Sequence, residues 1–260
     1  MKPQLKTSFG RFAKEYQKYR RSYDPKLYEL LFSLLPKIQP NQKVAILDIG
    51  SGTGKSTEPL LQTGRENLAV IGLDPDDRML DEARLSAQKQ KLPIVYLKGK
   101  AENLPFEKGT FDSAISGAAF HWYGNKKTVT GVRKILKKAG VFFIFWAQFI
   151  DTDKPTIGEE IYVKYKWKTI SQKFRKPEFI KHLLSQGGFE RIQIVKIPFT
   201  EKKTPAYIIG NLKTNSSYSL LSPKQQKDFV REMTKAYKTA LGGKKFVTDK
   251  LELLVCYAFN

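Results

Sequence analysis

Leu47-Asp48-Ile49-Gly50-Ser51-Gly52-Thr53-Gly54 is the stretch whose reading decides the fold. It follows the apolar run Val44-Ala45-Ile46 and precedes a predicted helix near 54–63. A strand ending in Asp, then three alternate glycines, then a helix, is a turn suited to a nucleotide-type cofactor. Glycine allows close backbone approach and unusual φ values, and a helix start offers free N–H groups. Spacing then separates the rival readings. A phosphate-binding P-loop needs glycine five residues before Gly54, where Ile49 stands. A dinucleotide fingerprint needs its third glycine at position 55, where Lys55 stands. The pattern that remains is Asp-x-Gly-x-Gly-x-Gly. Asp74 closes the next strand, Ile71-Gly72-Leu73-Asp74, where a carboxylate can accept both ribose hydroxyls. The alternative is an Asp that merely starts a turn before Pro75.

Outward from this turn the chain alternates. Strands are expected at 44–48, 68–74, 94–97, 111–116 and 141–147, with helices near 54–63, 76–89 and 126–138, the last C-capped by Gly140. Strands alternating with helices imply a parallel sheet covered on both faces. Residues 8–38 read as helical, with a second helix started by Asp24-Pro25. Beyond 148, helices are expected at 177–186, 204–213 and 222–241, and strands at 189–198 and 251–258. Leu251, Leu253, Val255 and Tyr257 face one way, which suits an edge or late-added strand. The segment 148–176, rich in Lys and aromatics, is a candidate cover for the site. The fold class is therefore α/β, with 1–40 a helical N-terminal lid, 41–147 a cofactor-binding half and 148–260 a substrate-side half of one domain.

Composition narrows the rest. At 260 residues and 41% hydrophobic the chain can bury a sizeable core. The apolar run Val141–Ile150 is half the length that crosses a bilayer, and the first residues show no apolar signal region. A cytoplasmic place is expected. The single cysteine, Cys256, allows no internal disulfide. No His, Cys or carboxylate cluster has metal-ligand spacing, so no metal is expected. The net charge of +21 attracts anions such as phosphate backbones or acidic lipids, although scattered lysines also serve as plain solvated surface.

Five strings carry a family resemblance. They are Tyr16-Gln17-Lys18-Tyr19-Arg20-Arg21-Ser22-Tyr23, the glycine turn, Gly72–Leu80, Ala101-Glu102-Asn103-Leu104-Pro105-Phe106, and Phe120-His121-Trp122. Together they resemble class I S-adenosylmethionine-dependent methyltransferases of the small-molecule group that includes trans-aconitate methyltransferase and the quinone-ring methyltransferases. The His-Trp pair points more narrowly, to the trans-aconitate-like branch. The resemblance implies a doubly wound, mostly parallel seven-stranded sheet with helices on both faces and an antiparallel final strand. It implies S-adenosyl-L-methionine as cofactor and S-adenosyl-L-homocysteine as product. Gly50, Ser51 and Gly52 would lie against the methionine moiety, Asp74 with Pro75 would hold the ribose, and Met79 would pack on adenine. Ala101 would offer its N–H to the adenine ring, and Ser116 would approach the sulfonium by its backbone. Tyr16, Tyr19, Arg20 and Tyr23 would form the lid, with Arg20 pairing the cofactor carboxylate; an ordinary amphipathic helix reads equally well. One departure stands out. The family's usual Asp before this Ala-Glu pair is Lys100, which has only donors, so adenine recognition would fall to Glu102 or to backbone carbonyls. Pro59 implies a shortened or kinked helix after the turn.

Methyl transfer from a sulfonium is an in-line displacement whose reactivity the cofactor carries. A carboxylate acceptor needs no base; a hydroxyl, amine or enolate carbon benefits from one. His121 is the candidate base, because it follows the fourth strand at the carboxyl edge of the sheet. A structural imidazole is the competing reading. His182, on an amphipathic helix, receives no role. Trp122, Trp146 and Tyr218 are candidate pocket walls that could equally be core. Lys213-Thr214-Asn215-Ser216-Ser217-Tyr218 could bind an acidic group or simply cap a turn. Three functions compete: a small-molecule methyltransferase with a carboxylate among its candidate acceptors, an RNA-modifying methyltransferase suggested by the charge, and a non-catalytic cofactor-binding module suggested by Lys100. Ser116-Gly117-Ala118-Ala119-Phe120-His121-Trp122 lacks the Asn/Asp-Pro-Pro-aromatic motif of amino-methylating nucleic-acid enzymes. The oligomeric state is left open.

Overall fold

A computed structural model describes residues 9–37, 39, 42–150, 157–167 and 176–260. The expected cover at 148–176 therefore lies partly outside the described residues. The chain divides into two compact units. One comprises Arg21–Trp146, Ser171–Val195 and Leu254–Asn260; the other comprises Met1–Arg20, Ala147–Ile170 and Lys196–Leu253.

Seven strands form one sheet in the order β3-β2-β1-β4-β5-β7-β6. They are β1 Val44–Ile49, β2 Leu68–Asp74, β3 Ile94–Lys98, β4 Phe111–Gly117, β5 Leu136–Phe149, β6 Glu190–Lys203 and β7 Val247–Phe259. The first five pair in parallel, with Asp48 beside both Gly72 and Ile115. The last strands run antiparallel: Asn260 exchanges hydrogen bonds with Ala139 and Gly140, and Ile150 N–H donates to Lys250 O. β1 is buried along nearly its whole length, as a strand covered on both faces must be. Strand order reverses between β1 and β4, so their carboxyl ends flank the crevice where such sheets bind ligands.

The helices in the sheet-bearing unit include α2 Lys26–Leu34, α3 Glu58–Leu61, α4 Asp77–Lys89, α5 Phe120–Tyr123, α6 Lys126–Ile135 and α8 Pro177–Gln186. Leu80, Ala83 and Ala87 of α4 pack with Tyr96, whereas Val129 and Val132 of α6 join Ile180 and Leu184 of α8 in the main core. The other unit holds α1 Ala13–Tyr19, α7 Glu159–Lys164, α9 Pro205–Lys213, α10 Ser216–Ser219 and α11 Pro223–Leu241. Its core is aromatic: Trp167 stacks on Phe229 with ring centroids 4.8 Å apart. Ser222 and Gln225 form a capping box at the start of α11.

Two expectations are corrected. The helix at 126–138 stops at Ile135, and Gly140 lies inside β5 instead of capping a helix. Leu136 is buried and pairs with Phe111, while Lys137 donates to Asp112 at 2.8 and 2.9 Å, so sheet pairing takes these residues from the helix. β7 is an interior strand between β5 and β6, buried on both faces from Leu254 to Cys256, not an edge. The expected second helix is present: the stretch 8–38 breaks at the extended Arg20, and α2 starts after Asp24 accepts the Lys26 N–H. The expected shortening at Pro59 is present, for α3 spans only Glu58–Leu61.

Candidate active site

The glycine turn leaves β1 with Gly50, Gly52 and Gly54 all at positive φ (77°, 54° and 88°), the region that side chains rarely adopt. Close walls add a second reason for glycine. A Cβ on Gly50 would lie 2.5 Å from Ala119 Cβ, and one on Gly52 would lie 3.3 Å from the Met79 methyl. Gly50 and Ser51 N–H both donate to Leu73 O, binding the turn to the end of β2.

Two carboxylates brace this turn. Asp48 is fully buried and accepts from Ser56 Oγ at 2.6 Å and Thr57 Oγ1 at 2.7 Å. Tyr28 Oη in turn donates to Ser56 O at 2.6 Å. Burial lifts the Asp48 carboxyl to about 6, partly offset by the two hydroxyls. Asp74 accepts one N–H on each oxygen, from Gly52 at 3.0 Å and Asp76 at 3.0 Å. Burial likewise lifts it to about 6, and the two backbone donors pull it down. Each Asp74 oxygen thus keeps acceptor capacity for a hydroxyl donor.

Across the crevice, β4 ends at Gly117 and Ala118 follows at φ 51°, a strained value for alanine. That kink turns the chain into α5, and Ala118 N–H donates to Phe145 O. Within α5, the His121 and Trp122 ring centroids lie 4.9 Å apart, and both side chains are half-buried. Tyr123 is a site residue that sequence reasoning missed. Its Oη donates to Ser116 Oγ at 2.5 Å and lies 3.2 Å from Ile49 O, joining the ends of β1 and β4 behind the turn. Burial raises its pKa far above the usual phenol value, so it stays protonated.

The other expected residues divide between the units. Tyr23 packs edge-on against Phe145, with centroids 4.6 Å apart, in the unit that holds the turn. Trp146 packs half-buried on the main core of that unit. Met79 and Ala101 are buried, Glu102 is half-buried, and Lys100 is exposed at a turn closed by Asn103 N–H to Lys100 O. His182 is exposed on α8. Tyr16, Arg20, Ser217 and Tyr218 fall in the helical unit. There Arg20 Nε donates to Thr214 Oγ1 at 2.7 Å, its guanidinium lies over the Tyr16 ring, and Tyr218 is buried against Phe12 and Phe229. Among the described residues, no group of three His, Cys, Asp or Glu could hold a metal, and no helix is long and apolar enough to cross a membrane.

Residues 47–144, from the end of β1 into β5, match a family model described as a methyltransferase domain. The protein is an S-adenosylmethionine-dependent methyltransferase. An uncharacterized methyltransferase of Mycobacterium tuberculosis is 27% identical over 234 residues, covering 88% of this chain and 86% of that protein. An uncharacterized methyltransferase of Synechocystis is 32% identical over 122 residues, covering 46% of this chain and 51% of that one. Among solved structures, the fold is similar to a methyltransferase assigned to an antibiotic biosynthesis pathway in Anabaena variabilis (TM-score 0.61, 16% identity, 90% of this chain and 98% of that chain). It is also similar to phosphoethanolamine N-methyltransferase 2 of Haemonchus contortus, solved with phosphomonomethylethanolamine and S-adenosylhomocysteine (TM-score 0.56, 18% identity, 95% of this chain and 56% of that chain). The site of this methyltransferase fits its cofactor on its own terms. The walled glycine turn leaves room for backbone only, and Ser51 Oγ is buried with no partner among the described residues. Asp74 retains the acceptor capacity that two ribose hydroxyls need.

Proposed function

We propose that the protein methylates a small-molecule acceptor, with a carboxylate as the favoured acceptor group, in the manner of the trans-aconitate-like branch. Bound S-adenosylmethionine supplies a methyl group on a sulfonium, which passes to the acceptor by in-line displacement. In this reading Gly50, Ser51 and Gly52 hold the methionine portion through backbone and the Ser51 hydroxyl. Asp74 accepts from the ribose hydroxyls, with Pro75 shaping the turn beside it. Met79 covers adenine, the Ala101 N–H and Glu102 carboxylate bond its edge, and Ser116 holds the end of β4 beside the sulfonium.

The observation that carries the acceptor class is the end of β4 and β5. Aromatic and imidazole rings stand there (His121, Trp122, Trp146, with Tyr23 on Phe145), and no Asn/Asp-Pro-Pro motif is present to grip an exocyclic amine. The rings exclude water from the methyl path, and the surplus of +21 draws an acidic acceptor inward. A carboxylate acceptor requires no proton removal; for a phenol, His121 would accept the proton.

The first test is thermal. Saturating S-adenosylhomocysteine is expected to raise Tm by several degrees, and Asp74→Ala or Asp74→Asn to remove most of that rise; an unchanged Tm in the parent protein would sink the reading. A panel of small di- and tricarboxylic acids and phenols, with methyl-labelled cofactor, then tests the acceptor. Label entering RNA but none of these compounds would favour the RNA alternative. His121→Ala with near-normal turnover on an identified acceptor would remove His121 from the chemistry.

A further inference from the structure

Lys14, Lys18, Lys213 and Lys245 line one cavity of about 830 Å³. Every residue lining it belongs to the helical unit, whereas the glycine turn belongs to the other. Its volume is in the range of small-molecule sites.

Three other lysines of this unit meet acids: Lys164 meets Glu232 at 2.7 Å, Lys203 lies between Glu201 and Asp249, and Lys196 faces Glu252 at 3.5 Å. The four cavity lysines form no ion pair among the described residues. Glu15, the one acid on the lining, pairs with none of them and exerts its field on Tyr218. Four lysines against one acid on the lining of a single hollow give it a positive field that attracts an anion.

The walls are also built. Gly210 of α9 has no side chain, and a Cβ there would lie 2.5 Å from the Tyr19 ring, so α1 and α9 pack with that ring flat against the helix. Asn211 Nδ2 donates to Tyr19 O at 2.9 Å, and Arg20 clasps Thr214 at the far end of α9. The N-terminus of α9 opens at Thr204, whose hydroxyl accepts the Tyr207 N–H. Ile209 supplies an apolar floor.

We propose that this cavity is a binding site for a small, multiply charged phosphate-class anion. Lysine alone supplies its cations. Ammonium groups are point charges suited to oxygens spread over a di- or triphosphate, whereas a planar carboxylate favours the arginine fork, which the lining lacks. The four lysines share the lining of one hollow instead of tracking along a stripe, which fits a small ion and not a nucleic-acid strand. This inference does not rest on the methyl-acceptor reading, and its test needs no turnover.

Inorganic pyrophosphate and tripolyphosphate are the probes, titrated calorimetrically into the full chain at about 100 mM salt, where distant surface charges are screened. Saturable one-to-one binding is expected. The variant K14Q/K18Q/K213Q/K245Q should weaken it at least about tenfold, equivalent to the loss of ~1.4 kcal/mol. The control K89Q/K91Q/K126Q/K127Q removes the same charge from exposed positions of the other unit and should change affinity less than about twofold. The single variant Lys213→Gln, half-buried on the lining, should weaken binding in the same direction if the quadruple variant folds poorly. Four results each overturn the proposal: no binding of either probe, equal loss in both quadruple variants, citrate bound as tightly as tripolyphosphate, or RNA binding that depends on the four lysines while the phosphate probes do not bind.

Discussion

Asp74 braces the fold with the same acceptor atoms that the proposed reading assigns to the ribose. It anchors the glycine turn through Gly52 N–H and the start of α4 through Asp76 N–H, and burial holds its carboxyl at about 6. A ribose hydroxyl donates better to the ionised form, so cofactor affinity should fall as pH drops through about 6. S-adenosylhomocysteine titrations from pH 7.5 to 5 are expected to weaken by up to about tenfold for each unit below that point. Asp74→Asn should bind weakly and lose most of the dependence; an identical pH slope in that variant would shift the cause to another group. The sign for stability is opposite to that of a paired surface acid. Asp48 and Asp74 keep protons to about pH 6 folded but only to about 4 unfolded, so their contribution to stability declines as pH rises between those values. Both residues were legible in the sequence, because an acid closing a strand beside glycines is a local signal. Tyr123 was not. Its partners, Ser116 and Ile49, come together only when β1 and β4 pair.

At the scale of elements, the boundary between α6 and β5 is the instructive error. Val129, Val132, Ile135 and Leu136 fit one helical face, and a helical period cannot reveal that Leu136 has a strand partner waiting in Phe111. The register shift between Phe111 and Ser113 leaves Ala139 at φ 62°. The side chain of Asn260 secures the bulge, donating to Leu136 O at 2.9 Å and Lys137 O at 3.0 Å. Ala139→Gly should therefore stabilise the fold by up to about 1 kcal/mol in urea unfolding, since glycine adopts that φ without a Cβ clash. A loss of stability would mean that the alanine is not strained. The break after α1 and the shortened α3 were better marked, because Asp24-Pro25 and Pro59 act through their own backbones. β7 misled for the reverse reason: its alternation was real, but its neighbours on both sides come from β5 and β6, at distances in the chain that no period reports.

For the whole molecule, charge is the dominant bulk property. A surplus of +21 on 260 residues destabilises the compact state by self-repulsion, and added salt screens it. Tm should rise by a few degrees between about 20 and 200 mM sodium chloride, read by calorimetry; a fall would show that attractive pairs outweigh the repulsion. The sequence by itself determined the α/β class, through strands alternating with helices, and the place of the glycine turn with Asp48 and Asp74, through local spacing and backbone angles that glycine tolerates, while the chemistry came from the resemblance those strings carry. Only the tertiary structure decided where Tyr123 bonds, that Leu136 to Gly140 belong to the sheet, and that Lys14, Lys18, Lys213 and Lys245 meet around one cavity. Such groupings join positions more than two hundred residues apart, and long-range packing, not local preference, sets them. The glycine turn is thus written in the chain, while the lysine cavity exists only once α1 and α9 have packed.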